Sequence, residues 1–200
     1  MNEFFVQYQG TPKSINYKHV FFDLDEVKLS WVASSKSKTL LFAYCSVGTW
    51  ESWRKDKSKF PSASIGSNVS GWPGEKWLKP NSALLGIYKS RLDRIKSSGA
   101  FGVDFDNVEI CEREPGIKST VIEIIRYAKA IGLKVSLRSY HSKQSCYCYL
   151  AEQVKSQGSY SRYTPKSLLF NIEYSKVSAD SRFKTAIANL ALDGKKWQLI

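Results

Sequence analysis

Apolar segments with strand character alternate along this chain with segments of helical periodicity, and this alternation is the strongest constraint on its fold. Residues 39–46, TLLFAYCS, form an almost continuous apolar run, which is typical of a parallel strand buried on both faces. Residues 82–98 place apolar side chains at helical spacing before Gly99, which predicts a helix that ends there. Repeated strand–helix units predict an α/β fold with a parallel sheet. A (β/α)8 barrel needs at least about 200 residues. This chain of 200 residues therefore predicts a compact or trimmed TIM-like barrel.

The remaining elements continue the alternation. The patterns predict further strands at residues 4–9, 19–25, 101–106, 133–139, 167–173 and 194–200, and helices at residues 26–33, 120–131, 150–157 and 180–192. A capping box formed by Thr120 and Glu123 predicts the start of the second of these helices. Residues 48–80 are predicted to be a long irregular segment, and residues 140–149 fit a strand or a loop. Because no linker interrupts the chain, we expect residues 1–200 to form one domain.

Two aspartates lie on the strand predicted at residues 101–106. Side chains alternate between the faces of a strand, so Asp104 and Asp106 are expected to share one face, opposite Val103 and Phe105. Carboxylates on an apolar strand are costly to bury unless a partner or a reaction uses them. In a barrel, catalytic residues gather at the carboxyl ends of the strands. The same segment also fits a strand end that closes in an Asx turn, so both interpretations stand at this point.

The balance of charged residues bears on the partner. The chain has 30 Lys and Arg against 18 Asp and Glu, and its net charge of +12 favours anionic partners such as nucleic acid, membrane surfaces or acidic glycans. The basic residues are scattered, and no nucleic-acid motif accompanies them. No apolar run approaches the roughly 20 residues that span a bilayer, and the first residues lack the features of a secretory signal. We therefore expect a cytoplasmic protein without a membrane span.

Metal and cofactor chemistry finds little support in the sequence. Cys45, Cys111, Cys146 and Cys148 lack the paired spacing of a zinc site and are expected to be free, buried or half-buried thiols. The chain has only two histidines and contains no nucleophile elbow, Walker loop or HExxH motif. We expect neither a metal nor a cofactor.

Seven segments, taken in order, match motifs that occur together in one enzyme family. The most specific is GWPGEKW at residues 71–77. The others are FVQYQG (5–10), VFFDLD (20–25), LFAYCSVGTWESW (41–53), GVDFDN (102–107), GLKVSLRS (132–139) and FNIEY (170–174). On these segments the chain resembles glycoside hydrolase family 114, the endo-α-1,4-polygalactosaminidase-like barrels. The resemblance implies a TIM barrel that hydrolyses amino-sugar polysaccharide by carboxylate acid/base chemistry.

The resemblance also implies catalytic residues. It places the family's catalytic aspartate at Asp106 and puts Asp104 where the family has glutamate. The family's second acid is a glutamate at the end of the sixth strand, and the best match, QSCYCY, puts Gln144 there. Glutamine exchanges no proton near neutral pH, so Gln144 would only hold substrate. Glu173 or Asp104 would then supply the second carboxylate that glycoside hydrolysis requires. Glu173 is equally well explained as a structural partner of Arg138 or of a lysine inside the barrel mouth.

A further set of residues is expected near the barrel mouth, where it would bind substrate. This set comprises Asp23, Asp25, Trp72, Trp77, Asn107, Arg138 and Gln144. The two tryptophans would stack on sugar rings, or else fold under their own loop to cover the barrel.

Two functional hypotheses remain at this point. The first is an active hydrolase, which the carboxylates and the GWPGEKW segment favour. The second is a catalytically inactive barrel that binds carbohydrate or a polyanion, which Gln144 and a shortened linker before the sixth strand favour. A net charge of +12 repels a deacetylated, cationic galactosaminan, so acetylated, neutral or acidic glycans are expected to be less disfavoured.

Overall fold

Strands and intervening helices build the part of the chain that the structure describes. The computed structural model describes residues 2–138, 147–152, 168–173, 184–189 and 198–199. In chain order the strands are β1 (Asn2–Gln7), β2 (Tyr17–Phe22), β3 (Leu40–Ser46), β4 (Thr49–Glu51), β5 (Ile65–Asn68), β6 (Glu75–Leu78), β7 (Gly102–Asp106), β8 (Lys134–Arg138), β9 (Cys148–Glu152), β10 (Leu168–Glu173), β11 (Lys184–Asn189) and β12 (Gln198–Leu199). The helices are α1 (Leu29–Ser35), α2 (Ala83–Ser98), α3 (Ile110–Arg113) and α4 (Lys118–Ala130).

One large sheet organises the molecule. Within the described residues its strand order is β1-β2-β3-β7-β8-β9-β10-β11-β12. Every neighbouring pair from β1 to β11 is parallel. The backbone of β12 lies beside that of β1, so the sheet curls back on itself. The predicted α/β fold with a TIM-like parallel sheet is confirmed. The last strand departs from the pattern, because β12 pairs with β11 in the antiparallel sense.

The two faces of this sheet differ in chemistry. The outer face packs against α1, α2 and α4 and carries Val103 and Phe105 in the main apolar core. Asp104 lies on the inner face, as the strand alternation predicts. On the amino-terminal side of Asp104, in the register of the neighbouring strands, the inner face is mostly apolar and also holds the buried His19. There the buried residues of a second core pack together: Phe4, Val6, Phe21, Phe42 and Cys148. Near the carboxyl ends the inner face is polar, and the site described below occupies that end.

Residues 48–80 are not irregular as predicted, because they contain a three-stranded antiparallel sheet in the order β4-β6-β5. We call it the flap sheet. Its strands are three or four residues long, too short for their alternation to stand out in the sequence. The Val47 N–H donates to the Asp106 carbonyl and the Leu78 N–H donates to the Gly48 carbonyl, which joins the flap sheet to the barrel rim. A Cβ atom at Gly48 would lie 2.0 Å from the Asn107 carbonyl oxygen, so this close approach requires glycine.

Two helices begin elsewhere than their patterns predict. α1 begins at Leu29 rather than at residue 26, because the N–H groups of Asp25 and Glu26 both bond to Asp23 and close a turn first. α4 begins at Lys118, so Thr120 lies inside the helix and does not cap it. A 3₁₀ turn at Pro115–Ile117 leads directly into α4, since the fixed φ of proline starts the helical path early.

Two predicted helices are wrong over the residues that can be compared. Residues 148–152 form β9 and residues 184–189 form β11, where the patterns predict helices at 150–157 and 180–192. Both strands pair in parallel with β10. This pairing outweighs a short helical pattern, because a strand is stabilised by its neighbours more than by its own sequence.

Three thiols are free and buried as predicted, those of Cys45, Cys111 and Cys148, while Cys146 lies outside the described residues. No helix in the described ranges is long and apolar enough to cross a membrane. The same ranges contain no group of three or more metal-ligating side chains.

The tight packing inside the barrel can be tested at Gly102. A Cβ atom there would lie 2.4 Å from the Lys134 carbonyl oxygen and 2.5 Å from the Phe42 ring. We expect Gly102→Ala to lower the free energy of unfolding by about 1–3 kcal/mol in urea denaturation. Gly86→Ala is the matched control, because an added Cβ on this exposed turn of α2 meets nothing within 4 Å. The control is expected to be about 0.5–1 kcal/mol more stable than wild type. Equal effects of the two substitutions would contradict the packing.

Candidate functional site

The Asp106 carboxylate lies at the carboxyl end of β7, on the barrel rim. Its side chain is 20 % exposed. The backbone N–H of Asn107 donates to Asp106 Oδ1 at 2.8 Å. Arg138, at the end of β8, places Nη1 3.7 Å from Asp106 Oδ2. This accessible carboxylate, oriented by a hydrogen bond and flanked by a guanidinium, can face a ligand in the barrel mouth.

Asp104 lies two residues deeper on β7 and is fully buried. The Tyr8 hydroxyl donates to its Oδ2 at 2.7 Å, and the Ser136 hydroxyl donates to its Oδ1 at 2.5 Å. Arg138 Nη2 donates to the Tyr8 hydroxyl at 2.6 Å, and Arg138 Nε lies 3.8 Å from Asp104 Oδ2. Burial raises the pKa of Asp104, and Arg138 and the two hydroxyl donors oppose that increase. With no exposed surface, Asp104 holds the segments after β1 and within β7 and β8 together rather than facing a ligand.

Asp23 and Asp25, expected to bind substrate, are paired with arginines. Arg54 Nη1 donates to Asp23 Oδ2 at 2.7 Å and to Asp25 Oδ2 at 3.2 Å, and Arg54 Nε donates to Glu51 at 2.7 Å. Arg94 donates to the second oxygen of Asp25 at 2.7 Å. Burial raises the pKa of Asp23 despite Arg54, whereas at Asp25 Arg94 and Arg54 outweigh burial and lower the pKa. A cavity of about 270 Å³ borders this ion-pair group. Most of the hydrogen-bonding capacity that these carboxylates show in the described residues is therefore directed to arginines.

A third polar group lies between the flap sheet and the rim, and sequence reasoning missed most of it. Thr49 Oγ1 donates to Glu75 Oε1 at 3.1 Å. The side-chain amide of Asn107 donates to Ser46 Oγ at 3.0 Å and to Thr49 Oγ1 at 3.2 Å. The two hydroxyls lie 2.6 Å apart. These contacts connect a carboxylate of the flap sheet to the residue that follows Asp106.

The side chain of Glu75 is buried and its pKa is raised. It is 6 % exposed and pairs directly across the flap sheet with Glu51. Burial and the charge of Glu51 are the largest effects and raise the pKa of Glu75 to about 7. The charge of Asp106 adds to this increase, while the hydrogen bond from Thr49 and the charge of Arg54 oppose it. The sequence signal was present, because this glutamate is part of the GWPGEKW segment, but its strand pairing with Glu51 is visible only in the fold.

The tryptophans of the flap sheet take different positions. Trp72 is 49 % exposed, so its ring is available to a ligand. Trp77 is partly buried against the core, and the Arg113 guanidinium lies 4.5 Å from the centre of its ring. Trp53, which the sequence analysis did not single out, is more than half exposed and lies against Gly74. Trp53 and Trp72 therefore present the accessible aromatic surface of the flap sheet within the described residues.

The sixth parallel strand of the sheet is β9, which begins at Cys148 and ends at Glu152. Gln144, matched in the sequence to the end of that strand, precedes its first residue and lies outside the described residues. Glu173 is the last residue of β10, the seventh parallel strand. The glutamate at the carboxyl end of the sixth strand is Glu152, while the sequence match at Gln144 stays a prediction.

The comparisons with known proteins bear on this arrangement. Residues 2–198 match the sequence profile of glycoside hydrolase family GH114. The chain belongs to glycoside hydrolase family 114. No curated protein shows significant similarity to the sequence of this family 114 member.

Two solved structures have a fold similar to that of this chain. The crystal structure of Ega3 from Aspergillus fumigatus in complex with galactosamine is similar at a TM-score of 0.76 and 23% identity, over 92% of this chain and 89% of that one. The glycoside hydrolase domain of PelA from Pseudomonas aeruginosa is similar at a TM-score of 0.66 and 11% identity, over 86% and 84%. At these identities the two likenesses establish a shared fold.

The raised pKa of Glu75 predicts how stability depends on pH. The folded state binds the proton of Glu75 more tightly than the unfolded state, where the pKa has its ordinary value of 4.5. Stability from this group is therefore complete below about pH 4.5 and falls as pH rises toward about 7. Glu75→Gln removes this titration. The free energy of unfolding is measured for both proteins by urea denaturation at pH 4 and pH 8. We expect the value for Glu75→Gln minus the value for wild type to be larger at pH 8 than at pH 4 by on the order of 2–3 kcal/mol. A difference from wild type that is the same at both pH values would contradict the raised pKa.

Proposed function

We propose that this protein hydrolyses glycosidic bonds in an amino-sugar polysaccharide, with Asp106 as its primary catalytic carboxylate. Membership of family 114 and the fold shared with a structure that holds galactosamine support this class of substrate. The observation that carries the proposal is the accessible Asp106 carboxylate at the carboxyl end of β7, where barrels place catalytic residues. Asp104, buried beneath it, is assigned a supporting role.

Glycoside hydrolysis needs two carboxyl groups with different tasks. One donates a proton to the leaving oxygen, and the other acts as base toward water or as nucleophile toward the sugar carbon. We assign the second task to Asp106, because Arg138 places positive charge beside its carboxylate. Neither Asp23 nor Asp25 suits the first task, because arginines already bind their oxygens.

We assign the proton donor to Glu152 on the basis of strand register. Phe105 pairs with Leu137, so the next residue, Asp106, lies opposite Arg138 in the strand register. Arg138 in turn pairs with Leu150 on β9. In an eight-stranded barrel with a shear of 8, positions of equal height advance by about one residue per strand. Two strands away from β7, the residue level with Asp106 on the rim is therefore Glu152. This backbone position agrees with the glutamate that the family resemblance implies at the end of the sixth strand.

The role of Asp106 is tested by Asp106→Asn, which keeps the side-chain shape and removes the carboxylate. We expect release of reducing ends from α-1,4-linked polygalactosamine to fall by at least about 1,000-fold, with an unchanged melting temperature. Deacetylated and partly N-acetylated polymers are both assayed, because a net charge of +12 disfavours the cationic form. Asp93→Asn is the matched control, since this exposed aspartate on α2 contacts Tyr127 on the outer surface. Full turnover by Asp106→Asn would remove Asp106 from the mechanism.

The choice of proton donor is tested by comparing Glu152→Gln with Glu173→Gln. We expect Glu152→Gln to reduce kcat by about 100-fold or more, and to act less severely on substrates whose leaving group needs no proton, such as aryl glycosides. We expect Glu173→Gln to retain most of its activity. The reverse result would transfer the role to Glu173. Binding of the polymer by wild type without any turnover would instead identify a barrel that only binds carbohydrate.

A further inference from the structure

The hydrogen bonds beneath the flap sheet have a defined direction. The side-chain nitrogen of Asn107 can only donate, and it donates to the hydroxyls of Ser46 and Thr49. The Thr49 N–H also donates to Ser46 Oγ at 3.2 Å. The Thr49 hydroxyl has one proton, which it uses in the hydrogen bond to Glu75. The hydrogen bond between the two hydroxyls must therefore be donated by Ser46. The series therefore starts at Asn107 and ends at Glu75, which is its final acceptor.

Asn107 is held in a conformation that needs such support. Its φ is +56°, in the left-handed region, and Asn107 is the non-glycine residue with positive φ in the described part of the chain. In this conformation its backbone N–H donates to Asp106 Oδ1, while its carbonyl faces Gly48. Rotation of Asn107 would remove the hydrogen bond that orients the Asp106 carboxylate.

Placing a carboxylate at the end of this series is costly, which calls for an explanation. Glu75 is buried and faces Glu51 and Asp106, whose charges repel its own. The nearby Arg54 already binds Glu51, Asp23 and Asp25. Within the described residues Glu75 lies in no ion pair. The hydrogen bond from Thr49 is the polar contact that the structure gives its carboxylate there.

We propose that Glu75 is a positioning residue for the Asp106 carboxylate, acting through the Thr49 hydroxyl and the Asn107 amide. The inference rests on the proposed function, because orientation of Asp106 matters most in the transition state. A misplacement of about 1 Å in a reacting group can reduce turnover on the order of 100-fold. Glu75 itself touches neither the substrate nor the reacting atoms in this role.

The kinetic test compares variants that lose the hydrogen-bond acceptor of Glu75 with a variant that loses only its charge. Glu75→Leu removes the acceptor, Glu75→Gln keeps an oxygen that accepts from Thr49, and Thr49→Val removes the donor at nearly constant volume. We expect Glu75→Leu and Thr49→Val to lower kcat by about 10- to 100-fold with little change in KM, and Glu75→Gln to stay within about threefold of wild type. Thr39→Val is the matched control, because Thr39 is also buried and donates to a distant backbone carbonyl. Unchanged kcat in Glu75→Leu and Thr49→Val, or equal damage in Glu75→Gln and Glu75→Leu, would overturn the proposal.

A second measurement does not depend on turnover. In ¹H–¹⁵N NMR spectra, we expect the side-chain amide protons of Asn107 to exchange with solvent slowly in wild type and in Glu75→Gln, and at least about tenfold faster in Glu75→Leu and Thr49→Val. Equal exchange in all four proteins would overturn the proposal even if wild type cleaves neither polymer. Loss of activity in Asp106→Asn together with full activity in Thr49→Val would refute the positioning role of Glu75 and leave the proposed role of Asp106 intact. Full activity in Asp106→Asn would instead refute the catalytic assignment of Asp106, on which this inference rests.

Discussion

The compensation of a buried negative charge at Asp104 underlies the polar half of the barrel interior. Tyr8 and Ser136 donate to this carboxylate and Arg138 lies beside it, so three separate segments meet at one side chain. Removing Arg138 would leave the buried charge without its charged partner, at a cost of about 3–5 kcal/mol. Arg138 also reaches Asp106 on the rim. The contact that stabilises the interior therefore determines the electrostatics of the candidate site.

The flap sheet contributes acidic groups that the barrel strands alone would not provide. Glu51 and Glu75 lie opposite each other on β4 and β6, and both are buried. Arg54 neutralises Glu51, whereas Glu75 connects through Thr49 to the rim. Two neighbouring carboxylates thus enter different networks, one that balances charge and one that we propose orients a catalytic group. Their partners, rather than their sequence spacing, distinguish these roles.

The sequence predicted the parallel sheet and the shared face of Asp104 and Asp106, because strand alternation is a local property of the chain. It also predicted Asp106 at the rim through the family motif. It did not predict the flap sheet, whose short strands are held by pairing between residues distant in the sequence, such as Thr49 with Trp77 and Glu51 with Glu75. Local patterns could not place β9 or β11, whose conformation depends on β10. Gln144 precedes β9 and lies outside the described residues, so its matched position at the end of the sixth strand stays a prediction.

The attachment of the flap sheet has a consequence for substrate capture. Backbone hydrogen bonds join both of its ends to the rim, and the Gly48 backbone touches that of Asn107 with no room for a side chain. Because of these contacts, we expect the flap sheet to move together with the rim rather than as a separate lid. Under the proposed function, a polymer would meet the flap sheet as a fixed wall beside Asp106. Discrimination between polymers would then depend on encounter and fit, and product departure would require no gating motion on this side of the mouth.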